Sequence, residues 1–483
     1  MKRILTISAA LTLLSAVLQA QDLRLAHIFT DHAVLQQQTQ APVWGWGKPG
    51  AQVSVSGSWN GEDVRTQVGK DGSWRVSLPT PAADGAAYTL TVRSGKESLT
   101  VADVVLGEVW ICSGQSNMEM PIRGFGFQEI EGAAEAILAA PETASRVRVF
   151  DIKTPKCTEP ISDVEASWAL SDGAVTAETS AIGYFFAKRL TKALDVPVGI
   201  VVNAWGGSRI EPWMTREAID AAGITAEERA AIDAIEEKPD RWPETPELIW
   251  NGRVAPIAGY AAKGFLWYQG CSNIGQDCYD KLQASMVRLW RENWGRGDMP
   301  FIFTLLAPYE HGDADGRWRP HFVEAQLRSL DLIPASWAVC TETLGANTTI
   351  HPSKKKEVAD MMVMNALQNV YGKRVGLTVE YPTPKSIEFL EDGRVKILLN
   401  NVWSNLMSIS ARKIVGFELA GEDREFKLAD AEVDWDGQTI YVSQAEIPHP
   451  VAVRYAFRNW MGANMQTSFG IPVPPFRSDD WEY

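Results

Sequence analysis

Four short apolar runs, each stopped by a polar or glycine-containing turn, constrain this chain more than any other feature. Val109-Trp-Ile-Cys112 ends at Ser113-Gly-Gln-Ser-Asn117, and residues 196–202 end at Asn203-Ala-Trp-Gly-Gly207. Gly264-Phe-Leu-Trp-Tyr268 ends at Gln269-Gly270, and Phe301-Ile-Phe-Thr-Leu-Leu306 ends at Ala307-Pro308. Runs this short and this apolar are strands buried on both faces, and helical patterning at 182–193 lies between them. Buried strands alternating with helices predict an α/β fold built on a parallel sheet. Ligands in such sheets sit beyond the carboxyl ends of the strands, so the turns are the expected site.

The flanking sequence has a different texture. From residue 23 to about 105 the pattern has period two, as in Gln52-Val-Ser-Val-Ser56 and Trp74-Arg-Val-Ser-Leu78. Lys48-Pro-Gly50, Asn60-Gly61 and Asp71-Gly72 separate the segments, which predicts a small β-sandwich at 21–105. Residues 106–375 form the α/β unit, with an insertion near 215–250 in which the Ala- and Glu-rich stretch 218–237 reads as one solvated helix. Alternation returns after about Gly376, so 376–483 is expected to be a second β-rich module. With 483 residues the chain is too long for one core, and two to four domains are expected.

Lys2 and Arg3 precede a 15-residue apolar run, Ile4 to Leu18, and small Ala20 follows. This is the order of a secretory leader, so residues 1–20 are expected to be removed and the product to be periplasmic or extracellular. The run is too short for a membrane span, and no later stretch is long and apolar enough. A formal charge of −14 disfavours a phosphate backbone as partner. Five cysteines, Cys112, Cys157, Cys271, Cys278 and Cys340, show no zinc-like spacing, and no metal site is expected. Cys271 and Cys278 are equally readable as a bridge or as two thiols. The 19 tryptophans fit either core packing or stacking against sugar rings.

A serine becomes a nucleophile only beside a base and oxyanion donors. Ser116 follows a predicted strand and a tight turn, which lifts its hydroxyl over the sheet edge. The turn lacks the second glycine of a nucleophile elbow, so an α/β-hydrolase is disfavoured. Of six histidines, His27, His32 and His449 fall in the β-modules, and His311 and His321 flank a Gly/Asp-rich loop. His351, in Thr349-Ile-His-Pro-Ser-Lys-Lys-Lys356 just before an amphipathic helix, is the base of choice.

The segment Gly107-Glu-Val-Trp-Ile-Cys-Ser-Gly-Gln-Ser-Asn-Met-Glu-Met-Pro121 closely resembles the nucleophile segment of sialate O-acetylesterases, within the SGNH/GDSL-like hydrolases. Ser180-Ala-Ile-Gly-Tyr-Phe-Phe186, Trp205-Gly-Gly-Ser-Arg-Ile-Glu-Pro-Trp213, Asn251-Gly-Arg-Val-Ala-Pro256, Gly264-Phe-Leu-Trp-Tyr-Gln-Gly270 and Ile350-His-Pro352 follow in that family's order. Even Asp31-His-Ala-Val-Leu-Gln36 and Val43-Trp-Gly-Trp46 look like its leading module, so the resemblance runs from about 24 to 365. It implies an SGNH-hydrolase-like sheet sandwiched by helices, and a cofactor-free esterase acting on O-acetylated sugars or glycans. Ser116 would attack the acetyl ester and His351 would serve as general base. The implied oxyanion donors are the backbone of Ser116 and of Gly206 or Gly207, completed by a side-chain amide from Asn273 or, second, Gln269. Gln115, Arg209 and Trp213 are candidate sugar contacts, with a structural ion pair for Arg209 and a core indole for Trp213 as equal alternatives, and Arg209 and Arg253 are candidates for a sialate carboxylate.

The chain departs from the family pattern at two acidic positions. Asp two residues before the histidine is replaced by Thr349, and the glutamate of Trp-Tyr-Gln-Gly-Glu-Ser-Asn by Cys271. Leu305 and Val323 also stand where related sequences tend to have Gln and Arg. An acid partner fixes the imidazole tautomer, and its loss can cost about four orders of magnitude in rate. A backbone carbonyl or Glu342 folding back are the available substitutes. Substrates in view are acetylated sialic acids and acetylated plant polysaccharides such as xylan or pectin. The competing class is a glycan-binding relative that has lost catalysis; a lipase or peptidase lacks motif support.

Overall fold

The structure, a computed structural model, describes residues 22–481 except 239, 240, 375, 377, 378, 410 and 411. The leader at 1–20 and the expected new terminus Gln21 lie outside the described residues. The α/β unit is organised around strand β1 (Glu97–Gly114), β2 (Val147–Asp151), β3 (Val198–Ala204), β4 (Gly264–Tyr268), β5 (Phe301–Thr304) and β6 (Ser336–Val339). Their order is β2-β3-β1-β4-β5-β6, all parallel, with an antiparallel edge strand Trp168–Leu170 beside β2. Gly114 pairs with Ala204 on one side and Tyr268 on the other, so three strands end at one point.

Strand residues alternate between two cores, as the pleat requires. Trp110 and Cys112 face a layer formed with α2 (Ala181–Leu194) and, late in the chain, Val358, Met362 and their neighbours. Val109 and Ile111 face the other layer with α3 (Tyr279–Trp294) and α4 (Trp318–Leu332). There Trp213, Trp267, Trp290 and Trp294 pack with Phe265 at ring separations of 5.1–6.4 Å. Much of the indole content is therefore core, where each buried aromatic contributes roughly 1.5–3 kcal/mol.

Two sheets form the leading sandwich, one of Arg24–Leu25, Thr39–Trp46 and Ser73–Thr80, the other of Gln52–Gly57, Asp63–Gln67 and Tyr88–Ser94. No linker separates it from the α/β unit. Strand β1 pairs with Tyr88–Ser94 near its start and with β3 and β4 near its end, running unbroken through residue 105. The 218–237 stretch is not one helix either. Arg216–Asp220 and Ala226–Asp233 are separate, with Gly223 at φ +75° between them and a Thr225–Glu228 capping box opening the second. The C-terminal part is β-rich, a seven-stranded antiparallel sheet with its own core around Phe417, Ile440 and Tyr455. Arg319, fully buried on α4, ties it down by donating to the Ala456 carbonyl at 3.1 Å and to Glu342 at 2.8 Å.

Among the described residues no helix is long and apolar enough to cross a membrane. All five cysteines are free thiols.

Candidate active site

Only glycine can turn the chain out of β1. Gly114 has φ +136°, and a Cβ there would lie 2.3 Å from the Tyr268 carbonyl oxygen. The reversal delivers Ser116 to the first position of a one-turn helix, α1 (Ser116–Glu119), whose first N–H groups have no helical acceptor. Asn117 fixes this turn to the histidine loop by donating to the Ile350 carbonyl at 3.1 Å. Its amide oxygen accepts from Lys355 Nζ at 2.6 Å. Ser180, the N-cap of α2, donates to the Met118 carbonyl at 2.6 Å and clamps the other side.

The structure brings Ser116 and His351 together: Oγ lies 2.7 Å from Nε2. On the far side of the ring, Nδ1 lies 2.8 Å from Gln128 Oε1. Gln128 Nε2 in turn donates to Thr349 Oγ1 at 2.9 Å, and that oxygen also accepts the His351 backbone N–H at 3.1 Å. Phe125 meets the imidazole edge-on, with centroids 5.4 Å apart. Burial and the nearby Lys355 ammonium lower the His351 pKa to about 4, so the ring is neutral and able to accept a proton at physiological pH.

Gln128 was not among the residues singled out from sequence. It sits in a tight Phe125–Gln128 turn, where a Cβ on Gly124 would fall 2.1 Å from the Gln128 carbonyl oxygen. Glu342, a proposed substitute for the missing acid, is not free to fold back. It is buried and held bidentately by Arg319 at 2.8 and 3.2 Å.

Among the described residues the backbone N–H groups of Ser116 and Gly207 donate to no protein acceptor. Gly206 N–H does: it reaches Glu119 Oε2 at 2.7 Å, and burial raises the pKa of that carboxyl. A Cβ on Gly206 would lie 3.5 Å from Ser116 Cβ, so the glycine turn adjoins Ser116, and Trp242 covers Gly207.

The amides expected to complete the hole are spent elsewhere. Gln269 donates to the Ser208 carbonyl and to Asn273 Oδ1, and accepts from Tyr279 Oη at 2.7 Å. Asn273 donates to Glu211 and Gln276 and accepts from the Ile210 N–H. Both are fully buried and form a frame under the turns rather than a donor to a ligand. Gln115 is likewise structural, accepting from the Gly270 N–H at 2.9 Å. Trp213 is fully buried with its indole N–H on Ser208 Oγ, so it cannot stack on a sugar. Arg209 is paired with Glu211 and donates to the Ser272 carbonyl.

Burial pushes the Cys271 thiol up to about 12, so it supplies no charge at the position where the resemblance led one to expect glutamate. Leu305 and Val323 are apolar core residues. A separate cavity of about 730 Å³ opens beside α4, lined by Trp318, His321, Arg477 and Trp481, with neither Ser116 nor His351 in its wall. No group of three or more His, Cys, Asp or Glu gathers as a metal site among the described residues.

Residues 106–367 match the family described as carbohydrate esterase, sialic acid-specific acetylesterase. This chain belongs to that family. It is a carboxylic ester hydrolase. The family's breadth shows in the relatives. Sialate O-acetylesterases of Rattus norvegicus and Homo sapiens are 28% and 27% identical, covering 94% of this chain and 94% and 92% of their own lengths. The solved structure of a carbohydrate acetylesterase from Xanthomonas citri superimposes with a TM-score of 0.83 at 31% identity, covering 95% of this chain and all of that one. The likeness to these relatives extends beyond the matched 106–367 to both β-rich parts.

Proposed function

We propose that this protein is an exported serine esterase that removes O-acetyl groups from sialic acids or related acetylated glycans. The 2.7 Å contact between Ser116 Oγ and His351 Nε2 carries the reading. Neutral His351 takes the Ser116 proton as Oγ attacks the acetyl carbonyl, then returns it to the departing sugar oxygen. Water, deprotonated by the same nitrogen, releases acetate from the acyl-enzyme. The developing oxyanion faces the undonated N–H groups of Ser116 and Gly207, a supply worth about 3–4 kcal/mol per donor in hydrolases of this logic. The arrangement is that of an SGNH/GDSL-like hydrolase with a nucleophile after the first catalytic strand. Residues 1–20 supply the export signal.

One observation favours uncharged sugars over sialic acid. Arg209 is paired with Glu211, Lys153 with Asp151, and Lys355 with Asn117. Arg253 donates to the Thr154 and Ala204 carbonyls and stacks 4.0 Å over Trp205. Each of these cations already has a protein partner, and the Glu119 and Asp151 carboxyls, both raised by burial, sit beside the glycine turn.

Acetate release from p-nitrophenyl acetate, O-acetylated sialic acid and acetylated xylo-oligosaccharides tests both statements. Wild type should turn over, and Ser116→Ala and His351→Ala should each lose at least about 10³-fold in kcat/KM. Wild type as silent as Ser116→Ala on all three would replace the esterase with a glycan-binding relative. A kcat/KM for the sialate above that for the xylo-oligosaccharide would overturn the preference for neutral sugars.

A further inference from the structure

We propose that Gln128 is the positioning residue of this active site, a neutral amide in the role an acid plays in relatives, and that Thr349 locks it in the working orientation. The proposal rests on the serine esterase reading above and extends it to a residue that neither the family motif nor the sequence analysis marks.

The geometry carries it. An imidazole that must accept a proton at Nε2 has to carry its own proton at Nδ1, so whatever faces Nδ1 must accept a hydrogen bond. Gln128 Oε1 does so at 2.8 Å. An amide is normally a poor choice because it can flip by 180° and present its NH₂ group, which would place the ring proton on Nε2 and block the serine. That wrong tautomer is why an amide in place of a triad aspartate can lower kcat by about 10⁴-fold. Here the NH₂ group is already held, donating to Thr349 Oγ1 at 2.9 Å, while the same oxygen takes the His351 backbone N–H at 3.1 Å. A hydroxyl has two lone pairs, and both are used. Flipping the amide would break the Gln128 Nε2 bond to Thr349, and the hydroxyl could replace it only by turning its own O–H onto the amide oxygen while still accepting the His351 N–H. Thr349, at the position where the family pattern led one to expect aspartate, thus stands one step out: it holds the amide that holds the ring.

Neutrality has a separate consequence. A carboxylate would stabilise imidazolium, and an amide does so only weakly. The charged group acting on His351 is Lys355, on the helix that follows, and it disfavours imidazolium. The buried Cys271 thiol faces Lys355 rather than the ring, and Glu119 across the serine is engaged by Gly206 N–H. With no carboxylate in contact with it, the ring keeps its low pKa, and the acid limb of the activity profile should fall well below that of an enzyme with an acid partner.

Two readouts test this. The first is the pH dependence of kcat/KM on p-nitrophenyl acetate for wild type, Gln128→Glu, Gln128→Leu and Thr349→Val. Gln128→Glu should stay active and shift the acid limb upward by about 1–3 pH units, the size of an adjacent opposite charge. Gln128→Leu should lose at least about 10²-fold, and Thr349→Val should lose a similar factor by freeing the amide. An unmoved acid limb in Gln128→Glu, or full activity in Gln128→Leu, would overturn the proposal. The second readout needs no turnover: ¹⁵N-histidine NMR of the mature protein, with His351→Asn to identify the resonance. Wild type should show the Nδ1-protonated tautomer, and Thr349→Val a mixture or the Nε2-protonated form. An Nε2-protonated wild type would overturn the proposal even in a protein that hydrolyses nothing, whereas an inert protein with the Nδ1 tautomer would overturn only the esterase reading.

Discussion

Lys355 shows what one side chain contributes when its counter-charge is missing. It is buried, donates to Asn117 Oδ1 at 2.6 Å, and lies over the Tyr268 ring at 5.8 Å. Desolvation lowers its pKa from the usual 10.5 to about 7. Between those two values the unfolded chain binds a proton that the folded chain does not, so this group makes stability rise with pH from about 7 to about 10.5. Relative to Lys355→Met, wild type should therefore gain more than about 1 kcal/mol across that window, read as urea midpoints at a series of pH values. A constant difference would mean that Lys355 stays charged in the fold. Side chains at this scale were unevenly legible. Ser116 stands in a 15-residue motif and His351 in the short run Ile350-His-Pro352, and the structure places them together. Gln128 is 223 positions from the histidine it contacts, in a loop whose only signal is Gly124-Phe-Gly-Phe-Gln128. Asn273 and Gln269, expected as oxyanion donors, are frame instead, because a motif gives a residue's place in the chain and not which way its side chain faces.

Elements explain why the turns fall together. The three strand ends meet because Ala204 and Tyr268 both pair with Gly114, and that junction tolerates no side chain. Gly114→Ala should cost about 2–4 kcal/mol and remove esterase activity, since the clash is with backbone and the φ is left to glycine. Gly61→Ala, at φ +69° with open space around it, should cost only about 1–2 kcal/mol and leave kcat/KM unchanged. Denaturant midpoints with p-nitrophenyl acetate assays separate the two. Strands were readable because uninterrupted apolar runs have few other fates. The solvated helix was not, because Ala and Glu favour helix everywhere while Gly223 and the Thr225 cap divide it. The apparent boundary at 105 has a similar origin: β1 is half-exposed over its first residues and buried over its last eleven, so a change of environment within one strand looks like a change of domain.

Whole-molecule cohesion depends on buried charge as well as apolar surface. Arg319 and Glu342 pair inside the junction between the α/β unit and the C-terminal part, where Arg319 also donates to the Ala456 carbonyl. Removing one partner strands the other, so Arg319→Leu should destabilise by about 3–5 kcal/mol, while Arg319→Leu with Glu342→Leu should recover most of that. Thermal or urea unfolding of both variants measures the coupling directly, and equal losses would mean the charges are already solvated. Strand β1 has a further consequence for how such a protein can be altered. Because one uninterrupted strand of 18 residues begins in the leading sandwich and ends at the turn that carries Ser116, the sandwich is no detachable appendage. A gene cut at residue 106 would leave the catalytic sheet with a central strand that has lost its upstream half and its hairpin partner. Domain shuffling, grafting and truncation have to treat the two as one inheritable unit.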